Sequence, residues 1–339
     1  MVRFHVVNSV KGGCGKSTFS LYLANFLTEK NHKVVIIDLD IGGSTWYRGF
    51  KSYLVNTTAK STENKDDIEN EEIKFLNDLL YEYDKNQFRE HVFKVSVDCQ
   101  ESKESSIINV IMTNPKEAAC IHDEKLDLLE EAICSLVDEI ATNSYPQNPE
   151  DKIDIIFDMP PGYEEHSERI LMHALMDLGS SLYNKYTSVK KNGEYQNPVY
   201  LYMISGVKQA ALKANIQYVE RFYKKPSYSM DTGVLNNQNT FFVFNDVDAS
   251  YKEYVKTVIG ADSLIKAGKT LTENISGTEK INGGSVQVSI IHHLPIKLTN
   301  QGYKNIITSK EDAVSTSYPL IDDEGGFKDL FETMKHLSD

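Results

Sequence analysis

A glycine-rich stretch, Val10-Lys11-Gly12-Gly13-Cys14-Gly15-Lys16-Ser17-Thr18, sits between two segments of opposite character. Before it runs Phe4–Val7, a β-branched, mostly apolar segment; after it, Ser17–Lys30 carries apolar residues at three- and four-residue spacing. Strand, glycine-rich turn, helix is the order in which backbone N–H groups converge on phosphate oxygens, with the positive end of a helix dipole behind them. In such a loop Gly12, Gly13, Cys14, Gly15 and Thr18 form the cradle, Lys16 neutralises the terminal phosphates, and the Ser17 hydroxyl reaches a Mg2+ ion. The stretch that ends at Ser17 opens with Val10 where the ordinary phosphate loop has glycine, and a second lysine, Lys11, stands at its front.

The alternation continues along the chain. Val34–Ile37, Ile107–Met112, Ile153–Phe157, Val199–Ile204, Phe241–Phe244 and Val286–Ile291 read as strands, and Glu124–Thr142, Glu165–Leu178, Gln209–Tyr223 and Ser250–Ile259 as helices. Buried strands with helical patterns between them predict one doubly wound α/β domain across residues 1–339, a mostly parallel sheet with helices on both faces. Residues 52–106 interrupt this order with the acid-leaning STENKDDIENEE, a helical pattern at Ile73–Tyr83 and the strand-like HVFKVSV; they are predicted to be an insertion after the second strand. The polar segments 180–197 and 225–240 are predicted loops, and 322–338 a C-terminal helix.

A composition of 40% hydrophobic and 25% charged residues fits an ordinary globular domain. No apolar run approaches the ~18 residues of a spanning helix, and MVRFHVVNS lacks the order of a signal peptide. A cytoplasmic protein is expected. The net charge of −13 weakens any general attraction to nucleic acid or anionic lipid. Cys14, Cys99, Cys120 and Cys134 form no CxxC pair and no zinc spacing, and are expected to be reduced thiols.

Acidic residues stand where strands leave the sheet. Asp38 and Asp40 alternate at the end of VVIIDLDIGG, and Asp158 closes the run IDIIFD before Pro160-Pro161-Gly162 breaks it. In open α/β sheets ligands lie beyond the carboxyl ends of the strands, so these acids are predicted to face the phosphate loop. Asp158 occupies the position of a water-mediated Mg2+ ligand.

Through KGGCGKST at 11–18, VVIIDLDIGG at 34–43 and IDIIFDMPPG at 153–162, the chain resembles the ParA/MinD family of P-loop ATPases with a deviant phosphate loop, part of a wider group with nitrogenase iron protein. The resemblance implies ATP and Mg2+ as cofactors and an ATP-dependent homodimer in which Lys11 reaches the partner's phosphates. Cys14 stands where that family has a small aliphatic residue. By the same resemblance Asp40 positions or activates the attacking water, Asp38 supports the Mg2+ shell, and Gly162 is a hinge that senses the γ-phosphate. Asn245, after Phe241–Phe244, would hydrogen-bond adenine, and the backbone at Pro295 would line the base pocket.

The family's tasks imply an activating protein partner and cargo such as plasmid DNA. Nonspecific DNA contact would fall to Lys208, Lys213, Arg221, Lys224 and Lys225, with Lys190 and Lys191 in the preceding loop. The C-terminal segment has apolar residues at Phe327, Leu330, Phe331, Met334 and Leu337, but its polar face mixes Lys328 and Lys335 with Asp329 and Glu332. Membrane-surface helices are basic on that face, so this one is predicted to pack on the sheet. The alternative function is the nucleotide switch of a multiprotein machine (secretion, conjugation or phage defence), regulated by a protein through 52–106. A third, a ligase of the same fold acting on a small carboxylate, has no substrate motif.

Overall fold

The computed structural model describes residues 1–40, 92–98, 105–113, 126–141, 152–162, 198–205, 240–247, 276–281, 284–292 and 314–316, with 46, 75–76, 185–186, 188–189, 195–196, 214–215, 218, 331, 334 and 337. Its strands are β1 (Val2–Ser9), β2 (Lys33–Asp38), β3 (Val92–Asp98), β4 (Ser105–Ile111), β5 (Ile153–Pro161), β6 (Ser188–Val189), β7 (Tyr195–Gln196), β8 (Val199–Ser205), β9 (Thr240–Val247), β10 (Ser276–Ile281), β11 (Gly284–His292) and β12 (Val314–Thr316). The described helices are α1 (Lys16–Glu29) and α2 (Leu126–Glu139).

One ten-stranded sheet runs in the order β10-β11-β9-β8-β1-β5-β2-β4-β3-β12. From β11 to β4 every neighbouring pair is parallel. Antiparallel β10 flanks β11, and β3 pairs antiparallel with β4 and parallel with β12. Each strand predicted from an apolar run is present, and the sheet is the doubly wound, mostly parallel one expected. The central strands are apolar and buried on both faces because helices cover both sides.

The two described helices lie on opposite faces. Alternate residues of β1 point to opposite sides: Val7 joins Phe19, Leu23 and Phe26 of α1 in one core cluster. Phe4 instead meets the Tyr186 ring edge-on at 5.6 Å, and the Tyr186 hydroxyl donates to Asp138 of α2 at 2.8 Å. The α1 helix stops where Asn31 adopts a left-handed φ of 62°. There the Asn31 N–H bonds Thr28 O at 2.9 Å and the His32 N–H bonds Leu27 O at 3.1 Å, satisfying the last carbonyls of the helix.

That turn delivers His32 to a buried polar network at the amino ends of the strands. Arg3 donates to both carboxylate oxygens of Asp154, at 2.7 and 3.1 Å. His5 Nε2 lies 2.7 Å from Asp154 Oδ1, and its Nδ1 lies 2.9 Å from the Tyr202 hydroxyl. His32 Nδ1 lies 2.8 Å from Asp154 Oδ2. Arg3, His5 and Asp154 are fully buried.

Several expectations need correction or fall outside the description. The strand expected to break at Pro160 runs on to Pro161, paired with Ser9. Pro160 falls beyond the end of β2 at Asp38, and Pro161 is the last residue of the strand, where the N–H of Gly162 bonds Ser9 O at 3.2 Å. The 180–197 segment, expected to be a loop, carries the hairpin β6–β7, and β10 and β12 were not anticipated. Part of 52–106 joins the main sheet as β3. The predicted helices at 165–178 and 250–259 lie outside the described residues; Ala214, Asn215, Tyr218 and Leu76 are helical within two others. In the C-terminal segment Phe331, Met334 and Leu337 are buried, and the Phe331 ring sits 5.6 Å from Phe19 and 5.1 Å from Phe26 of α1. Among the described residues no helix is long and apolar enough to cross a membrane.

Candidate functional site

Parallel register gathers the site. Val7 pairs with Asp158 across β1 and β5, and Asp38 pairs with Asp158 across β2 and β5, so three strands present their carboxyl ends together. The chain leaving β1 is held at both sides. Ser9 Oγ donates to Lys11 O at 3.0 Å and lies 3.3 Å from the Lys11 N–H. Asn215 Oδ1 accepts the Val10 N–H at 2.8 Å, and its Nδ2 donates to Ile204 O at 2.9 Å, tying the loop to the end of β8. Gly13 and Gly15 have φ of 75° and 89°, a backbone that L side chains rarely adopt.

The loop ends in an open helix start. Gly15 caps α1 without any side-chain acceptor, and no acidic residue stands in the first turn. The first N–H groups and the positive dipole end are therefore available to an anion. Lys11, Gly12 and Gly13 are exposed, Cys14, Gly15, Ser17 and Thr18 are partly buried, and Lys16 is buried. The Cys14 Sγ lies 4.0 Å from Gly12 O. A phosphate-sized anion fits this surroundings of donors and lysines.

Asp158 is a buried acid of the site. It is 1% exposed, and its Oδ2 accepts the Trp46 indole N–H at 2.6 Å. Among the described residues its Oδ1 has no hydrogen-bond partner. Burial pushes the carboxyl up to about 6, against the pull of the Ser17 hydroxyl, the Lys16 ammonium and the Trp46 indole, with Asp40 pushing further upward. A buried carboxylate oxygen without a donor, next to a serine hydroxyl, suits a hydrated Mg2+, which takes few protein oxygens and keeps its waters.

Asp38 is fully buried and turned inward. Its Oδ1 accepts the Asp40 N–H at 3.1 Å, and its Oδ2 lies 3.1 Å from Thr113 Oγ1, which is equally close to Asp40 O. Asp38 thereby braces the turn that carries the partly exposed Asp40. The Leu39 N–H bonds Asp158 O at 2.9 Å, prolonging the contact between β2 and β5.

The sequence matches the CobQ/CobB/MinD/ParA nucleotide binding domain over residues 5–281. The chain belongs to that family. No curated protein matches it in sequence. Among solved structures it is similar to a Borrelia burgdorferi B31 protein assigned to plasmid partition and bound to AMPPNP, at 13% identity, with 100% of this chain and 98% of that chain covered and a TM-score of 0.52. It is also similar to the MinC:MinD cell division complex of Aquifex aeolicus (16% identity, 89% and 85% covered, TM-score 0.48). A third is MinD of Pyrococcus horikoshii OT3 with Mg-ADP (15%, 76% and 77%, TM-score 0.42). Of these three, the Borrelia structure is the one whose TM-score bears on the fold.

In this CobQ/CobB/MinD/ParA domain Lys16, Ser17, Asp38 and Asp40 lie around Asp158, while Lys11 stands exposed at the front of the loop. Asn245 lies in β9, which runs on to Val247. Pro295, Lys190, Lys191, Lys208, Lys213, Arg221, Lys224 and Lys225 lie outside the described residues. Three residues of the site escaped sequence reasoning: Trp46, Thr113 and Asn215. Thr113 follows an apolar run as the acids do, which is a usable signal. Trp46 is the chain's single tryptophan. Nothing around Asn215 in the sequence points to the phosphate loop.

Proposed function

We propose that this nucleotide-binding domain is a Mg2+-dependent ATPase of ParA/MinD type, a switch that dimerises on ATP and reopens on hydrolysis to position or segregate cargo such as a plasmid. The observation that carries this reading is Asp158: a buried carboxylate with one oxygen left without a donor, set beside Ser17 and Lys16 at the mouth of an uncapped helix.

Each residue then has a physical task. The backbone of Gly12–Ser17 and the Lys16 ammonium bind and orient the phosphates, and Ser17 and Asp158 hold the cation's shell. Mg2+, when bound, neutralises charge on the β- and γ-phosphates. Asp40, on a turn braced by Asp38 and Thr113, orients the attacking water. Lys11 is exposed, which supports its reaching a second copy's phosphates. Phosphoryl transfer leaves a protein little covalent work, so fixed geometry and preorganised charge carry the rate. Gly162, whose N–H bonds Ser9 O at 3.2 Å, links the end of β5 to the loop and is the hinge that relaxes after hydrolysis.

Light scattering on a sizing column with Mg-ATP tests the reading in the Asp40→Ala variant. A monomer that becomes a stable dimer is expected; a chain that stays monomeric with ATP bound sinks the switch. The net charge of −13 favours the second reading, a switch answering to a protein partner rather than DNA. Stimulation of phosphate release by linear DNA supports partition, whereas stimulation by a protein, lost on deletion of the acid-leaning stretch 61–72, which spares Leu76 and β3, supports the second.

A further inference from the structure

Asp158 has two oxygens with different surroundings, and the difference comes from one residue. Oδ2 accepts the Trp46 indole N–H at 2.6 Å, whereas Oδ1 accepts nothing among the described residues. Indole N–H is a donor with no acceptor capacity, so this contact can serve only the oxygen's lone pairs. At 2.6 Å it lies at the short end for an N–H donor to an oxygen. The ring is 3% exposed and packed within the apolar core cluster, so the donor is rigid. A carboxylate free to turn about its last torsion would exchange its oxygens; one oxygen pinned by a rigid donor fixes the plane of the group and the direction of the other.

We propose that Trp46 is a positioning residue for the cation site: by holding Asp158 through Oδ2 it presents Oδ1 to the shell of Mg2+. Trp46 also follows Asp40 along the chain, so the segment that leaves β2 is tied to the acid at the end of β5. The contact couples the segment carrying the water-orienting acid to the cation. This inference rests on the nucleotide reading above. Mutation of a residue that orients a metal ligand commonly costs 10–100-fold in metal affinity or activity.

Because the chain has a single tryptophan, indole emission reports the surroundings of Trp46, including this contact. The full chain is first saturated with ADP in EDTA, with binding followed by calorimetry, and then titrated with MgCl2 while indole emission is read. The emission is expected to shift as Mg2+ enters. Trp46→Phe, which keeps a smaller aromatic ring and removes the N–H, is expected to bind ADP unchanged without Mg2+. It should then need about tenfold more MgCl2, read as the Mg2+-dependent gain in ADP affinity. Two results overturn the inference: indole emission unmoved by saturating MgCl2, or a Trp46→Phe variant with the wild-type MgCl2 requirement. The emission arm needs no variant and decides the matter if Trp46→Phe does not fold. Failure of the wild-type chain to bind ADP at all overturns the nucleotide reading itself, and this inference with it.

Discussion

Asn215 holds Val10 in place: its side-chain oxygen accepts the Val10 N–H at 2.8 Å, and its amide nitrogen donates to Ile204 O at 2.9 Å. One fully buried amide thus ties the first residue of the phosphate loop to the end of β8. Asn215→Leu removes both hydrogen bonds and leaves the part-buried Val10 N–H without its side-chain acceptor, which costs about 1–3 kcal/mol. Urea unfolding is expected to show that loss, and ADP affinity should fall with it because the loop is no longer held in its binding shape. Unchanged stability and affinity would show that the tie is dispensable.

Lys16 and Asp40 should separate binding from turnover. Lys16→Ala removes a charged donor from the phosphates and should weaken ATP binding by roughly 10–100-fold. Asp40→Ala should bind ATP as the wild type does but release phosphate about 10²–10⁴-fold more slowly. Equilibrium binding and a phosphate-release assay on the same preparations check both; normal turnover in either variant removes that residue from the site.

Gly162 has a φ of 100°, and a Cβ built there would meet nothing closer than Val10 O at 3.8 Å. The cost of Gly162→Ala is therefore backbone strain rather than collision, about 1–2 kcal/mol. Thermal unfolding should show this modest loss. If Gly162 is the hinge, hydrolysis should fall more than nucleotide affinity does.

The network around Asp154 sets an acid limit on stability. Burial alone would push its carboxyl up, but His32, His5 and Arg3 outweigh that and hold it well below the usual carboxylate range. Its stabilising contribution is present above the unfolded value of about 3.9 and is lost as pH falls below that toward the folded value. Burial holds His5 below its ordinary value, so protonation of the unfolded chain costs stability from about pH 6.5 downward. Both effects have the same sign. Urea unfolding from pH 8 to 2 should show stability falling with acid most steeply below about pH 4, where the opposing gain from protonating Asp158, raised to about 6, is already complete. Asp154→Asn should cost about 3–5 kcal/mol at neutral pH, because it strands a buried arginine charge. A combined Arg3→Met, Asp154→Leu variant should recover part of that loss.

The parts of the site built from contiguous residues were legible in advance. The expected order of strand, glycine turn and helix is present because β1, Lys11–Gly15 and α1 follow one another along the chain. Asp38 and Asp158 could be placed because parallel strands in an α/β sheet put their carboxyl ends on one edge. The hairpin of β10 and β11 was also within reach: the pairing of Ile281 with Gly284 encloses Asn282-Gly283, a strong hairpin dipeptide that went unused.

The remainder depends on which strands become neighbours. β5 inserts between β1 and β2, which brings Trp46 and Asp158 into hydrogen-bond contact; β4 beside β2 brings Thr113 to Asp38; β8 beside β1 gives Asn215 two ends to join. Arg3, His5, His32 and Asp154 look in the sequence like stray polar residues in or beside apolar runs, and the same strand order makes them one network. Periodicity along a chain reports the local backbone and the face a residue prefers. Sheet order comes from the competition among all strands to bury both faces, so the partner of a buried acid is written nowhere near the acid itself.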